Sequence, residues 1–394
     1  MISARVLAAS GLRDLAAALP SLGDDAARLA RMFPSRAFVI EGMSGDDARV
    51  LAGRLQHGGA AACALSDAVA VTAGPEALAA VLGALKSDDA TREVFDAVSL
   101  ALARWGEPAH DIPLPNGHAL QVSQRVHVMG IVNVTPDSFS DGGRFLDADA
   151  AIAHGLQMVE DGADILDVGA ESTRPGASPV SQKEELHRLL PVVEALAAKV
   201  TAPVSVDTTK SAVAAAALDG GAQIVNDVSA GSHDPAMFEV VAQRRAAYVL
   251  MHMRGEPRTM QKDIRYRDVV GEIAQYLGER AEMAVAAGLA RDAMIVDPGF
   301  GFGKLPEHNL VLLRRLREFR CLGFPILAGT SRKTFIGRTL DDAPPEDRLE
   351  GTAATVALAV TGGASIVRVH DVRAMRRVVD MVEATLNARE PGDR

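Results

Sequence analysis

The chain has 394 residues, of which 48% are hydrophobic, and its formal net charge is −10. This apolar content is ample for a packed core and excludes an intrinsically disordered chain. The negative charge argues against nonspecific nucleic-acid binding, which requires a basic surface. The length predicts two domains, unless one large barrel accounts for most of the chain.

The sequence also predicts the compartment. Only two cysteines occur, Cys63 and Cys321, and they are far apart in the sequence and lack the spacing of a metal site. Two distant cysteines exclude a disulfide framework, and this predicts a reducing compartment. Charged residues from Arg5 onward interrupt the N-terminal segment before a secretory core forms. The uncharged run 351–367 contains two adjacent glycines, so a helix followed by a strand explains it better than a membrane span. We therefore predict a soluble, cytoplasmic protein that binds no nucleic acid and no membrane.

Residues 1–108 predict a small α/β domain. Its expected elements are a strand at 37–40, a helix from the Ser44/Asp47 capping box to about Gln56, a strand at 68–72, a helix opening at Gly74-Pro75, and a helix at 91–105. His57 and Cys63 are isolated here, which predicts structural roles for both. Two hypotheses for this domain remain open, an oligomerisation or stabilising module and a regulatory or partner-binding one. The lack of a polar cluster slightly favours the first.

Residues 109–125 predict a linker that ends in a β-hairpin. Prolines are frequent from Pro108 to Pro115, and the turn pair Asn116-Gly117 follows them. Apolar residues flank this pair on both sides, and an Asn-Gly pair in that setting is a strong hairpin signal.

Residues 126–394 show a repeated strand-then-helix pattern. Strands are predicted at 126–132, 165–168, 204–206, 223–226, 247–251, 294–296, 325–328 and 366–369. Helices are expected after these strands, for example at 147–160, 182–198, 268–287, 307–319 and 372–388. Eight such units match a (β/α)8 TIM barrel, which typically has ~250 residues. The alternative, a doubly wound sheet, would normally show a GxGxxG fingerprint after its first strand, and Asn133-Val134-Thr135 stands there instead.

Polar residues follow every predicted barrel strand, and in a barrel these strand ends converge on one mouth. The first strand leads into MGIVNVTPDSFSDGG, residues 129–143, whereas an ordinary βα connection needs only ~2–6 residues. The other strand ends contribute acids, amides and bases within the segments 169–176, 207–210, 226–227, 251–254, 297–304, 329–333 and 368–371. One aspartate after a strand is often only a helix N-cap. Eight polar strand ends together indicate a functional site.

The residue types at these ends suit a flat heterocycle and an anion. Asp207, Asn226 and Asp297 match the donors and acceptors along a heterocycle edge, where a carboxylate meets an N–C–N group through paired hydrogen bonds. Arg368 and His370 are separated by one residue on the same strand and suit a phosphate or diphosphate. Asn133 is a plausible Mg²⁺ ligand together with phosphate oxygens and water. The pattern indicates no zinc site and no Ser–His–Asp triad.

These motifs closely resemble those of the dihydropteroate synthase family of folate biosynthesis. The resemblance covers about residues 110–390 and includes, in the family's order, MGIVNVTPDSFSDGG, DVGAESTRPGA, VSVDTTK, IVNDV, LMHMRGEPRTMQ, DPGFGFGK, GTSRKTFIG and VRVHDV. Departures are small: Thr334 stands where many members have Ser, and Ala170 where Gly is common. The resemblance does not extend to the first hundred residues.

The resemblance implies a pterin-binding barrel that joins (7,8-dihydropterin-6-yl)methyl diphosphate to p-aminobenzoate. It implies a sulfonamide target, a Mg²⁺ cofactor bound by Asn133, and commonly a homodimer. The implied pterin diphosphate residues are Thr173, Asp207, Asn226, Asp297, Lys333, Arg368 and His370. The implied p-aminobenzoate residues are Phe139, Thr173, Arg174, Pro175, Phe302 and Thr334. Asp141, Asp207 and Lys333 are implied to be catalytic, with the first loop closing over a developing cation.

The implied chemistry is dissociative. Diphosphate leaves, a resonance-stabilised pterin cation forms, and the aniline nitrogen attacks it, which suits a site with acids and an anion cradle but no obvious nucleophile. One alternative is a pterin-dependent methyltransferase of the same barrel family, which would not need the Arg368/His370 pair or the STRPGA loop. The other is a catalytically silent paralogue, which is expected to have lost loop residues.

Overall fold

The structure is a computed structural model that describes residues 2–7, 36–57, 60–73, 75–87, 91–107, 109–115, 117–134, 144–171, 179–255, 260 and 264–388. The chain divides into two compact units. The first contains the described residues up to 107 together with Tyr266–Glu272 and Arg317–Gly323, and the second contains the rest.

The first unit contains an antiparallel sheet and three described helices. Its strands are β1 (Ser3–Val6), β2 (Arg36–Glu41), β3 (Ala61–Ala64) and β4 (Ala68–Ala73), in the order β1-β2-β4-β3. Its helices are α1 (Gly45–His57), α2 (Pro75–Ser87) and α3 (Arg92–Gly106). The backbone N–H of Asp47 donates to Ser44 Oγ at 3.2 Å, as the predicted cap requires. The short strands β1 and β3 were not predicted, because four-residue segments give little periodicity.

A buried ion cluster joins β1 to the two later segments of this first unit. Arg5 is 3% exposed, its Nη2 lies 2.7 Å from Asp268 Oδ2, and its Nη1 pairs with Glu318. The next residue, Val6, donates its N–H to Cys321 Sγ at 3.3 Å. Burial raises the pKa of the Cys321 thiol to about 11, which keeps it protonated and suits a structural role.

The predicted hairpin forms at one end of the second unit. Strands β5 (Ile112–Pro113) and β6 (Ala119–Leu120) pair antiparallel. Apolar hairpin residues pack on side chains near the N-terminal ends of the barrel strands, among them Met129, Ile165 and Ile366. The hairpin therefore fills the N-terminal end of the barrel.

The second unit is a parallel eight-stranded barrel, as predicted. The strands are β7 (His127–Asn133), β8 (Ile165–Gly169), β9 (Val204–Asp207), β10 (Ile224–Asp227), β11 (Ala247–Met251), β12 (Met294–Asp297), β13 (Leu327–Ala328) and β14 (Ile366–Val369). Neighbours pair in the order β12-β11-β10-β9-β8-β7-β14-β13. A parallel bridge between Val296 and Ile326 closes the ring.

Helices follow the barrel strands and cover the outside of the ring. They are α4 (Arg144–Glu160), α5 (Gln182–Lys199), α6 (Ser211–Asp219), α7 (Met237–Arg244), α8 (Val269–Ala286), α9 (Pro306–Arg314), α10 (Thr334–Thr339), α11 (Leu349–Thr361) and α12 (Val372–Leu386). The helix predicted at 307–319 ends earlier, at Arg314, and a 3₁₀ segment, Leu316–Leu322, follows it. Within the described residues, no helix combines the length and apolar character needed to cross a membrane.

Candidate active site

A pocket opens at the C-terminal ends of the barrel strands. It has about 390 Å³ of empty volume, including the part open to solvent. Its lining residues are Asp207, Asn226, Val228, Met251, Asp297, Phe300, Phe302, Gly329, Lys333 and Arg368. Six of these were predicted from the sequence: Asp207, Asn226, Asp297, Phe302, Lys333 and Arg368. The lining of this pocket does not include Asn133, His370 or Thr334.

Strand register explains how three predicted residues reach the same level of the barrel. Asn133 at the end of β7 pairs with Gly169, which pairs with Asp207, which in turn pairs with Asn226. Each residue is at or near the C-terminal end of its strand, where parallel barrels carry their functional groups.

Arg368 connects the acids of the pocket. Its Nε lies 2.6 Å from Asp167 Oδ2, and its Nη2 lies 2.8 Å from Asp207 Oδ2. Asn226 donates its amide N–H to Asp167 Oδ2 at 3.0 Å. Asp167 is fully buried, so its carboxylate fixes the orientation of both Arg368 and Asn226.

Burial raises the pKa of Asp207 to about 7, although the charge of Arg368 opposes this shift. The nearby carboxylates of Asp167, Glu185 and Asp227 act in the same direction as burial. A carboxyl group with a pKa raised in this way is typical of functional sites.

Asp297 forms the acidic wall at the end of β12. Its Oδ1 accepts the backbone N–H of Gly299 at 2.7 Å. Burial raises the pKa of Asp297 to about 6, and the Gly299 hydrogen bond and the charge of Lys333 partly counter this effect. At neutral pH the carboxylate predominates, which suits paired hydrogen bonds from an N–C–N edge.

Lys333 lies across the pocket on the loop after β13. Its Nζ is 4.1 Å from the centroid of the Phe302 ring, within the range of a cation–π contact. The next residue, Thr334, is exposed at the first turn of α10. The structure thus groups Lys333 with Phe302 and places Thr334 at the surface beside them.

His370 lies outside the pocket lining, next to Ser331. The two side chains are hydrogen-bonded, with 3.0 Å between Nδ1 and Oγ. Burial and the charge of Arg368 lower the pKa of His370 to about 3, so the imidazole is neutral at physiological pH. Of the predicted diphosphate pair, only Arg368 carries a positive charge, and that charge already contacts two carboxylates.

Asn133, the predicted magnesium ligand, lies at the C-terminal end of β7. Across the described residues, no group of three or more His, Cys, Asp or Glu side chains is arranged to hold a metal ion. Mg²⁺ commonly uses one or two protein oxygens together with substrate phosphates and waters, rather than a protein cage. Asn133 is half-buried at the level of Asp207 and offers one such oxygen. The residues present therefore fit a magnesium ion carried by the diphosphate.

Five predicted residues lie outside the described residues: Phe139, Asp141, Thr173, Arg174 and Pro175. In the sequence, all five fall between β7 and α4 or between β8 and α5.

Three further residues of this region, Asp167, Met251 and Phe300, were assigned no role from the sequence. Asp167 had a detectable signal, because it is an acid inside the apolar strand Ile165–Gly169. Met251 and Phe300 line the pocket but resemble ordinary core residues in the sequence.

A family model described as "Pterin binding enzyme" matches residues 129–370. The dihydropteroate synthase of Synechocystis sp. is 48% identical over 273 residues, covering 69% of this chain and 94% of that protein. The enzyme of Bacillus subtilis is 46% identical over 269 residues, covering 68% and 92%. These relatives bear the name of the synthase, not of the alternative methyltransferase.

Solved structures give the same result. The dihydropteroate synthase of Yersinia pestis with a sulfonamide drug has a TM-score of 0.67 at 42% identity, covering 71% of this chain and 100% of that one. The Xanthomonas albilineans enzyme with 4-aminobenzoic acid gives 0.66 at 45% identity, with the same coverage. Its complex with 7,8-dihydropteroate gives 0.64 at 42% identity, covering 70% and 100%. The chain belongs to the dihydropteroate synthase family of pterin-binding enzymes.

Proposed function

We propose that this protein is a transferase that joins (7,8-dihydropterin-6-yl)methyl diphosphate to p-aminobenzoate. The methylene C–O bond breaks and releases diphosphate, and a bond forms between the methylene carbon and the aniline nitrogen. That nitrogen loses one proton, and the products are 7,8-dihydropteroate and diphosphate. The main support for this function is the pocket at the barrel mouth, which is lined by Asp207, Asn226 and Asp297 together with Lys333 and Arg368.

The acids and the amide support pterin binding. Asp297 offers two carboxylate oxygens to the N–C–N edge of the ring, and Gly299 holds one of those oxygens in place. Asn226 provides both a donor and an acceptor, and its amide is oriented by Asp167. Phe302 from the loop after β12 and Lys333 from the loop after β13 complete the pterin pocket.

The charges support a dissociative reaction. Positive charge develops on the pterin as diphosphate leaves, and the carboxylates of Asp207 and Asp297 stabilise it. Arg368 stabilises the departing anion, with His370 contributing a neutral hydrogen-bonding group. Mg²⁺ bound by Asn133 and the diphosphate would neutralise charge on the leaving group.

The p-aminobenzoate site is proposed from the family resemblance. It would be formed by Phe302 and Thr334 with residues of the loops after β7 and β8, namely Phe139, Thr173, Arg174 and Pro175. Asp141 belongs to the same first loop, which would exclude water from the cation when it closes.

We also propose roles for the parts of the chain, an oligomeric state and a compartment. Residues 126–394 form the catalytic barrel, entered through the linker and hairpin at 109–125, and residues 1–108 form a stabilising module. The protein is proposed to be a cytoplasmic homodimer.

The test is direct synthesis. Purified protein with Mg²⁺ and both substrates is expected to form 7,8-dihydropteroate, detected chromatographically, with no product when either substrate is omitted. Asp297→Asn serves as the matched variant, because it keeps the side-chain shape and removes the charge. Absence of product from the unmodified protein would reject the function.

A further inference from the structure

Lys304 is a buried cation that the proposed reaction does not use. It closes the glycine-rich loop Pro298–Gly303 and is only 2% exposed. Burial lowers the pKa of Lys304 well below its usual range, and the negative charge of Asp297 opposes this shift. A buried ammonium is costly unless hydrogen bonds satisfy it, so its partners indicate its role.

The partners of Lys304 belong to two different loops. Its Nζ donates to the carbonyl oxygens of Gly299 at 2.8 Å and Phe302 at 3.0 Å, both in its own loop. It also lies 2.9 Å from Nδ1 of His252, which begins the loop after β11. In its ammonium form Lys304 has only donors, so Nδ1 then accepts and the His252 ring is neutral. Burial and the charge of Lys304 lower the pKa of His252 to about 2, which agrees with this assignment.

The backbones of the two loops are in direct contact. Gly299 has a φ of +70°, and a Cβ built there would lie 2.0 Å from the carbonyl oxygen of His252. Gly303 has a φ of +64°, and its Cβ would lie 2.4 Å from the carbonyl oxygen of Arg254. His252 N–H also donates to the carbonyl oxygen of Asp297 at 3.0 Å. Lys304 therefore joins the loops after β11 and β12, whose backbones are too close at Gly299 and Gly303 to admit a side chain.

This junction supports the wall of the pterin pocket. Gly299, whose carbonyl binds Lys304, donates its N–H to Asp297 Oδ1 at 2.7 Å. Phe302, whose carbonyl also binds Lys304, carries the ring against which Lys333 lies. A shift in the loop would therefore move the Asp297 carboxylate and the Phe302 ring together.

We propose that Lys304 is a positioning residue, whose ammonium joins the loop after β12 to His252 and so holds Asp297 and Phe302 in the geometry that binds the pterin. The proposal rests on the proposed function, because it assigns the pocket to a pterin. Lys304 itself does not line the pocket. It would affect the ligand only by ordering the loop that carries the pocket residues.

The experiment measures equilibrium binding of 6-hydroxymethylpterin by calorimetry, without p-aminobenzoate or turnover. Lys304→Met keeps the apolar stem and removes the ammonium, and it is expected to weaken binding at least ten-fold. The matched control is Arg376→Met at the opposite end of the barrel. There Arg376 Nη1 lies 3.2 Å from Asp164 Oδ2, so the control loses a half-buried cation far from the pocket. We expect it to lower thermal stability but to leave pterin affinity unchanged.

A second pair of variants keeps the test decisive even where Lys304→Met does not fold. His252→Leu removes the acceptor for Lys304, whereas His252→Gln restores a side-chain oxygen, so the Gln variant is expected to bind pterin more tightly than the Leu variant. Equal affinities of these two variants would overturn the positioning role. So would a folded Lys304→Met with the affinity of the unmodified protein, or one weakened no more than Arg376→Met.

The test also separates this proposal from the proposed function. Unmodified protein that binds no pterin would reject both. Unmodified protein that binds pterin but forms no dihydropteroate would reject the synthase function alone, while the variants still decide the role of Lys304.

Discussion

Nη2 of Arg368 lies 2.8 Å from Oδ2 of Asp207. This ion pair joins a residue predicted to hold the diphosphate to a residue predicted to bind the pterin. The same guanidinium also contacts the fully buried Asp167. A change in the charge or position of Arg368 is therefore expected to affect both the proposed pterin site and the proposed diphosphate site.

Arg368→Ala is expected to weaken binding of the pterin diphosphate more than binding of the free pterin. The diphosphate loses a charge-assisted partner, a loss of about 2 kcal/mol or roughly 30-fold, whereas the free pterin loses only an indirect support. Calorimetric titration with both ligands measures the two losses separately. Equal losses would contradict the diphosphate role.

The same variant is expected to lose stability. Removal of Arg368 leaves the buried Asp167 without its cation, and breaking a buried ion pair typically costs about 3 kcal/mol or more. Arg368→Lys is the matched control, since it keeps the charge but not the two-pronged geometry. Thermal unfolding should rank the unmodified protein above Arg368→Lys, and Arg368→Ala last. Another order would argue against the ion pairs as the source of stability.

Asp297→Asn is expected to weaken pterin binding by about 2 kcal/mol, roughly 30-fold, because the amide cannot accept two hydrogen bonds from an N–C–N edge. Calorimetry with 6-hydroxymethylpterin measures the change. An unchanged affinity would remove Asp297 from the pterin pocket.

The pKa of Asp297, about 6, gives this binding a defined pH dependence. Above that pH the side chain is a carboxylate and accepts both hydrogen bonds, and below it the neutral acid loses one of them. Pterin affinity should therefore fall as the pH is lowered from 8 through 6 to 5. The same titration of Asp297→Asn controls for ionisation of the ligand. A fall of equal size in that variant would assign the pH dependence to another group.

Asp207 adds a second transition at higher pH, because its pKa is raised to about 7. In Asp207→Asn this transition is removed, so the remaining decrease should be centred nearer pH 6. Comparison of Asp207→Asn with the unmodified protein over the same pH range isolates this contribution. Coincident profiles would show that ionisation of Asp207 does not affect pterin binding.

Asn133→Ala is expected to raise the Mg²⁺ concentration required for half-maximal product formation. Asn133 is the proposed protein oxygen ligand, so its removal leaves the ion with the diphosphate and water alone. Chelation by EDTA should abolish activity in both proteins, and added Mg²⁺ should restore it at a higher concentration in the variant. Identical magnesium titrations would exclude Asn133 as the ligand.

Truncation of the chain to begin at Glu107 is expected to lower the thermal midpoint. The truncated chain lacks Arg5, and with it a cation of the buried Glu318. Arg5→Met in the full chain is the matched variant and should reproduce part of the loss. Sedimentation of both chains tests whether residues 1–106 also determine the oligomeric state. A truncated protein with unchanged stability and a changed oligomeric state would favour an assembly role instead.

The sequence by itself determined the barrel. Its eight apolar strand segments and the intervening helical periods are local signals, and the structure has a strand at each predicted position. The Asn116-Gly117 hairpin was also predictable, because a type of turn is a local property of two residues. The end of the helix predicted at 307–319 was not predictable, since the end of α9 at Arg314 depends on tertiary packing rather than on periodicity.

The residue types of the pocket were also accessible from the sequence, because Asp207, Asn226, Asp297, Lys333 and Arg368 follow strands that must converge. Only the tertiary structure decided how these residues pair. Strand register and burial bring Arg368 to both Asp167 and Asp207, and leave His370 neutral beside Ser331. Likewise, Lys304 and His252 are 52 residues apart in the sequence, and no local pattern reports their contact. Ion pairs and pKa values depend on distances between residues on different strands, and those distances are set by the tertiary structure, not by any local sequence pattern.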